Sequence, residues 1–415
     1  MTFELNRLRM ILLGALLISA ALVLSAALNP AGASAFKHHK DNPTVGPAGL
    51  KFYKPPKKLP AGHGKLIWQR KAGGTVPLKS GAATKLVLYT STSPSGKRVA
   101  VSGSVTIPKG KAPRGGWPIV SYGHGTTGIA DKCAPSRNTK GGVAEGYISY
   151  TDPVMNQWLR AGYAVARTDY QGLGTPGDHP FLVGKSAGRG VLDIVRASRQ
   201  LGYKISNRFL IAGHSQGGHA ALFAAGLASK WTPELKLRGT VSYAPASHFK
   251  TQAQVLPSLP SPNGLTALAT LLVRGMTVEY PQINPQAALS DDILGGIAPS
   301  KLIRPGYDMT PLYGILDAQN PAVKTAAPVL LAQGTADSTT PKFLTDLLNG
   351  ELVGLGDTVD YKVYEGVDHG GVVAAGSATN AGGVVSTSGT FTEVLIQGRT
   401  FVNGNSVTSV QYSPT

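Results

Sequence analysis

An α/β fold, a mostly parallel sheet flanked by helices, is predicted for this 415-residue chain by three observations. From residue 118 onward, short apolar runs alternate with helical stretches, the rhythm of strands joined by covering helices. The pentapeptide Gly213-His214-Ser215-Gln216-Gly217 stands between the apolar run 209–212 and the small-residue stretch 218–226. An acid, Asp337, and an imidazole, His369, follow late in the chain, each just past a predicted strand.

Taken in order, the chain opens with an address. Arg7 and Arg9 precede a nearly uncharged stretch, 10–28, then Asn29-Pro30 and the small-residue site Ala33-Ser34-Ala35. This layout predicts a secretory signal peptide over residues 1–35 and a secreted product. The rival reading is an uncleaved membrane anchor, because a spanning helix needs roughly 20 apolar residues and this stretch approaches that. Cleavage removes two arginines and one glutamate, so the formal charge falls only from +18 to +17. Residues 36–84 then form a basic arm in which Lys37, Lys40, Lys51, Lys54, Lys57, Lys58, Lys65, Arg70 and Lys71 are interleaved with proline and glycine. Such composition predicts a segment that is extended or partly unordered, suited to peripheral contact with an anionic membrane or cell-wall surface. Nucleic acid is excluded as a partner, since no recognition motif accompanies the charge.

The core is predicted over 85–247 and 328–375. Runs 86–92 and 99–107 read as hairpin strands around a Pro94-Ser95-Gly96 turn, so the sheet begins antiparallel. Strand 118–122, a helix near 153–161, strand 164–168 and a helix capped by Ser186 and running to about Leu201 follow. Next come the strand 209–212 with its helix, strand 240–243, strand 328–331, helix 341–348 and strand 358–364. Between 248 and 327 the rhythm breaks. About 80 residues with helical stretches near 264–275, 285–290 and 312–317 belong to no βα unit, and so long a loop is improbable in a compact domain. A helical cap over the site is the expectation. Its apolar residues, Leu256, Leu259, Leu268, Leu271, Leu272, Val273 and Met276, either bind acyl chains or pack the cap on the core. After the histidine the fold's usual closing helix is replaced by small residues, and the tail 376–415, with strand-like pieces 391–397 and 406–412, yields no functional reading.

A G-x-S-x-G turn between strand and helix pushes the serine hydroxyl above the sheet, with glycines where Cβ atoms would collide. Ser215 is the candidate nucleophile. A serine hydroxyl needs a base to take its proton, the role of His369, and the imidazole needs a carboxylate to fix its tautomer and stabilise its cation, the role of Asp337. Asp368 adjoins His369, but neighbouring side chains on a loop seldom face each other. The chain order Ser, Asp, His is that of the α/β-hydrolase triad. The oxyanion needs preorganised N–H donors. Gln216, next after the nucleophile, supplies one, and the loop after strand 118–122, Gly123-His124-Gly125-Thr126-Thr127-Gly128, supplies the other. Thr126 is assigned, with Gly125 and Thr127 as alternatives. His214 and His219 lack partners for a metal site, and Cys133 reads as a small buried residue.

The segment 124–136, HGTTGIADKCAPS, together with GHSQGG at 213–218 and the late Asp337 and His369, resembles the secretory lipase family of α/β-hydrolases found in fungi and actinobacteria. The likeness runs from about Lys85 to about Val373. It implies an α/β-hydrolase fold with a helical cap inserted after the sixth strand, and an extracellular serine hydrolase cleaving carboxylic esters, from short acyl esters to triacylglycerols. Family members carrying Cys133 often pair it with a second cysteine, and this chain has no other. The chemistry requires no cofactor and no metal. Rival readings are a serine peptidase or acyltransferase with the same three residues, and a non-catalytic envelope-binding protein that keeps the fold.

Overall fold

The computed structural model describes residues 44–142, 144–258, 264–290 and 299–378. The expected signal peptide, Leu259 and the strand-like pieces of the tail lie outside the described residues.

Among the described residues, nine strands form one sheet: β1 (Leu66–Lys71), β2 (Gly81–Thr92), β3 (Arg98–Pro108), β4 (Trp117–Gly123), β5 (Ala164–Thr168), β6 (Ile205–His214), β7 (Lys236–Tyr243), β8 (Val329–Gly334) and β9 (Val359–Tyr364). Their spatial order is β1-β2-β3-β5-β4-β6-β7-β8-β9. Pairs β1/β2, β2/β3 and β3/β5 are antiparallel, and every later pair is parallel. The helices are α1 (Glu145–Ser149), α2 (Asp152–Arg160), α3 (Gly184–Ser198), α4 (Gln216–Trp231), α5 (Phe249–Val255), α6 (Gly264–Met276), α7 (Pro285–Ala288), α8 (Thr310–Asp317), α9 (Lys342–Gly354) and α10 (Gly371–Ala378).

Alternation along the central strands builds two cores. Ile119, Phe209 and Ile211 face α3 and α4, where Val191, Val195, Ala220 and Ala224 are buried against them. Their neighbours Val120, Leu210 and Ala212 point to the other face and meet Val154, Met155 and Trp158 of α2 and Val372 and Val373 of α10. Each large apolar side chain so buried contributes about 1.5–3 kcal/mol. Because both faces are covered, the central strands bury apolar residues on each side, and the carboxyl ends, where β4, β6, β8 and β9 stop, are left to carry the site.

The insertion leaves the sheet after β7, the sixth strand counted from β2. Its helices α5, α6 and α8 form a cluster of their own, in which Phe249, Leu272, Val273, Met276, Leu302, Leu312 and Leu316 are buried with Phe181 of the core.

Three elements depart from the sequence reading. The sheet starts inside the expected arm: β1 pairs with β2, Val45 bridges to Gln69, and Phe52 and Tyr53 are buried against Leu88 and Ala100. Enough apolar residues sit among the lysines to form a packed edge, so composition misled there. A helix, α10, does follow the histidine, held by the burial of Val372 and Val373 despite its small-residue sequence. Ser186 is not the cap of α3. That position falls to Val183, and the Ser186 hydroxyl donates to Gln171 Oε1 at 2.8 Å.

Candidate active site

At the junction of β6 and α4 the chain turns so sharply that Ser215 adopts φ 57° and ψ −117°, a conformation non-glycine residues rarely hold. Such a residue stores on the order of 1–3 kcal/mol of strain and persists only where its surroundings enforce it. Here the Ser215 N–H donates to the Tyr243 carbonyl at 2.9 Å, and its own carbonyl accepts from His219 and Ala246. The two glycines are sterically required. A Cβ on Gly213 would strike the Gly217 carbonyl, and one on Gly217 would strike that of Gly123.

Asp337 lies on the loop after β8, its side chain fully buried, and its carboxylate collects donors from every side. Oδ1 accepts from the backbone N–H groups of Thr339 and Thr340, both at 2.8 Å. Oδ2 accepts from Thr340 Oγ1 at 2.8 Å, Gln333 Nε2 at 3.0 Å and His369 Nδ1 at 2.7 Å. Burial pushes the carboxyl up, but the hydrogen bond and charge of His369, with the Thr340 donors, outweigh it and hold it below its ordinary value. A carboxylate can only accept, so the proton of neutral His369 sits on Nδ1 and the lone pair on Nε2.

The structure brings His369 and Asp337 together, and Asp368 is not in the pairing. Asp368 Oδ1 instead accepts from the Gly371 N–H at 2.7 Å and turns the chain into α10. The elbow is tied to this pair through His214, the residue before Ser215, which donates from Nε2 to the His369 carbonyl at 2.7 Å, with ring centroids 4.5 Å apart. Among the described residues no hydrogen bond joins Ser215 Oγ to His369 Nε2. Bonds of this kind often tighten only when substrate is bound.

Ser215, 9% exposed, opens onto a cavity of about 290 Å³. The core contributes Thr126, Gln216, Phe181 and Thr340, and the cap contributes Phe249, Leu268, Leu272, Leu302, Met309 and Leu312. Of the cap residues singled out in the sequence, Leu256, Leu268, Leu272 and Val273 line the cavity, whereas Leu271 and Met276 do not. Gln216 is the first residue of α4, where backbone N–H groups have no acceptor within the helix. Its side chain donates to His179 Nε2 at 2.9 Å. Thr126 faces the same cavity from the loop after β4.

Sequence reasoning missed Gln333, Thr340, His214 and Tyr150. An acid followed by Ser338-Thr339-Thr340 is a local turn pattern that could have located Thr340. Nothing local marks the other three. Cys133 is buried and unpaired. His219, also buried, bonds the Gln319 carbonyl at 2.9 Å. Among the described residues no group of three or more His, Cys, Asp or Glu side chains is arranged to hold a metal ion.

Comparison with known proteins follows the same direction. Residues 144–292 match the model of a family described as Secretory lipase. Lipase A of Moesziomyces aphidis is 27% identical over 240 residues, 56% of this chain and 49% of that protein. Lipase 5 of Candida albicans is 27% identical over 253 residues, 57% of this chain and 51% of that one. A protein named probable inactive lipase from Mycobacterium tuberculosis is 28% identical over 209 residues, covering 48% of this chain and 44% of its own. The chain spans about half the length of the curated relatives it matches. Among solved structures, Candida antarctica lipase A in its closed state superposes with a TM-score of 0.65 at 19% identity, covering 80% of this chain and 82% of that one. The rice cell wall degrading esterase LipA from Xanthomonas oryzae gives 0.60 at 19% identity, over 76% and 95%. At such identities the likeness is one of fold, and the fold is that of the α/β-hydrolases.

Proposed function

From its likeness to the secretory lipase family, matched over residues 144–292, we propose that this chain is an exported serine hydrolase that cleaves carboxylic esters through an acyl-enzyme. The observation that carries the reading is a serine held in a strained elbow and facing an apolar cavity, whose neighbour His214 bonds the main chain of an imidazole with its Nδ1 tied to a buried carboxylate 2.7 Å away.

In this reading Ser215 Oγ attacks the ester carbonyl as its proton passes to His369 Nε2. Asp337, kept ionised by its donors, stabilises the imidazolium that forms. The N–H groups of Gln216 and Thr126 bind the oxyanion. His369 then returns the proton to the departing alcohol, and water releases the acid by the same steps in reverse roles. The acyl chain occupies the cavity beneath the cap, where each buried methylene contributes about 0.8 kcal/mol, roughly fourfold in kcat/KM. Export by the signal peptide over 1–35 agrees with the family's description, and the net charge of +17 left after cleavage suits an anionic envelope surface.

A nitrophenyl ester series of increasing acyl length, run beside aminoacyl-nitroanilides, tests the reading. Ester hydrolysis that rises with chain length, spares the anilides and is lost in Ser215→Ala is expected. Cleavage of the anilides, or acyl transfer to an added alcohol exceeding hydrolysis, would replace it by a peptidase or a transferase.

A further inference from the structure

We infer that His214 and Tyr150 are positioning residues, which lock the loop carrying His369 to the nucleophile elbow and to the oxyanion loop. The inference rests on the function proposed above and assigns a role to the residue just before the serine of the Gly213 to Gly217 turn.

The bonds have a fixed direction. A carbonyl only accepts, so the contact of His214 Nε2 with the His369 carbonyl, 2.7 Å, places a proton on Nε2. His214 is 3% exposed, and burial first, then the charge of His369, pushes it down to about 3. The ring is thus neutral, Nδ1 carries the lone pair, and Tyr150 Oη must donate to it. Burial pushes the Tyr150 phenol well up, so that donor keeps its proton. The chain Tyr150 O–H, His214 imidazole, His369 carbonyl is continuous and has one polarity.

The same pair meets the oxyanion loop. A Cβ placed on Gly125 would lie 3.3 Å from Tyr150 Oη and 3.4 Å from His214 Nδ1. Three parts of the site converge on two side chains: the elbow carries His214, the base loop is held by its Nε2, and the backbone beside Thr126 packs on its Nδ1 partner. Without the lock, the His369 carbonyl loses this donor, and the ring is held through the Nδ1 contacts with Asp337 and Thr340. A displacement near 1 Å between reacting groups costs about 100-fold in rate.

The test compares His214→Leu, His214→Gln, Tyr150→Phe and Ser215→Ala in the full-length protein, with kcat and KM measured on one nitrophenyl ester and folding followed by thermal melting. Leucine removes the donor and glutamine restores it. Expected results are a fall of about 10- to 100-fold in kcat for His214→Leu with KM within about twofold, recovery of most of that loss by glutamine, and a smaller fall for Tyr150→Phe. If leucine fails to fold, Tyr150→Phe, which deletes one oxygen, carries the test alone. Unchanged kcat in Tyr150→Phe or in a folded His214→Leu protein, a loss confined to KM, or glutamine as poor as leucine would overturn the inference. Activity surviving Ser215→Ala would instead overturn the functional reading beneath it.

Discussion

At the scale of single residues, Asp337 is the most heavily bonded side chain of the site, and its bonds say how its neighbours act. Replacing it by asparagine keeps the shape but offers His369 Nδ1 an amide that can swap donor for acceptor, so the wrong tautomer becomes available. A loss of about 10³- to 10⁴-fold in kcat is expected for Asp337→Asn, read from ester hydrolysis at saturating substrate; a loss below tenfold would assign the carboxylate another role. Thr340→Val removes the hydroxyl that donates to Oδ2 at 2.8 Å and approaches His369 Nδ1 at 3.2 Å. About a tenfold fall in kcat is expected, smaller than for Asp337 because four other donors remain. Ser215, Asp337 and His369 could be singled out in the sequence because each follows a strand-like run, and Ser215 also sits in a G-x-S-x-G turn. His214 and Tyr150 could not, because their meaning lies in partners brought near by folding: Tyr150 and His214 are 64 positions apart, and His214 and His369 are 155.

Among the elements, the turn from β6 into α4 tolerates least. Gly217→Ala drives a methyl into the Gly123 carbonyl, a backbone atom that cannot swing aside, and overpacking of this kind costs about 1–3 kcal/mol or more. A lower melting temperature together with lost activity is expected, and a variant matching the parent in both would contradict the geometry of the turn. Helix α6 offers a different lever. Leu268 and Leu272, one helical turn apart, both line the cavity. Leu272→Trp fills space that a long acyl chain would use, so the ester profile is expected to shift toward short chains with little change for the shortest; an unshifted profile would remove the cap from substrate selection. Apolar runs and Gly/Pro punctuation gave the elements of the parallel sheet closely. They misread β1, whose Leu66-Ile67-Trp68 is surrounded by lysine, proline and glycine, and α10, where tertiary burial of two valines overrides weak local propensity.

At the scale of the whole molecule, four histidines buried among the described residues govern the expected response to acid. His124, His179 and His219 are pushed down to about 4 and His214 to about 3, in each case chiefly by burial. Unfolding returns them to about 6.5. Between pH 6.5 and about 4 the unfolded chain binds protons that the folded chain refuses, so stability falls as the pH falls through that window. Asp337, depressed in the folded state, adds a loss of the same sign at lower pH. Thermal melting is expected to hold steady from pH 8 to 7 and to drop by more than about 5 °C between pH 6.5 and 5; an even profile down to pH 4 would mean these rings are accessible to protons in the folded protein. The large positive charge, by contrast, speaks to surfaces the protein meets and not to how it folds. Everything proposed about its chemistry depends on one oxygen being the nucleophile, and a fluorophosphonate probe reads that directly. Mass spectrometry of the labelled protein is expected to place a single adduct on the peptide containing Ser215, with labelling slowed by orders of magnitude in His369→Ala and absent in Ser215→Ala. An adduct elsewhere, or ester hydrolysis by an unlabelled protein, would contradict the account.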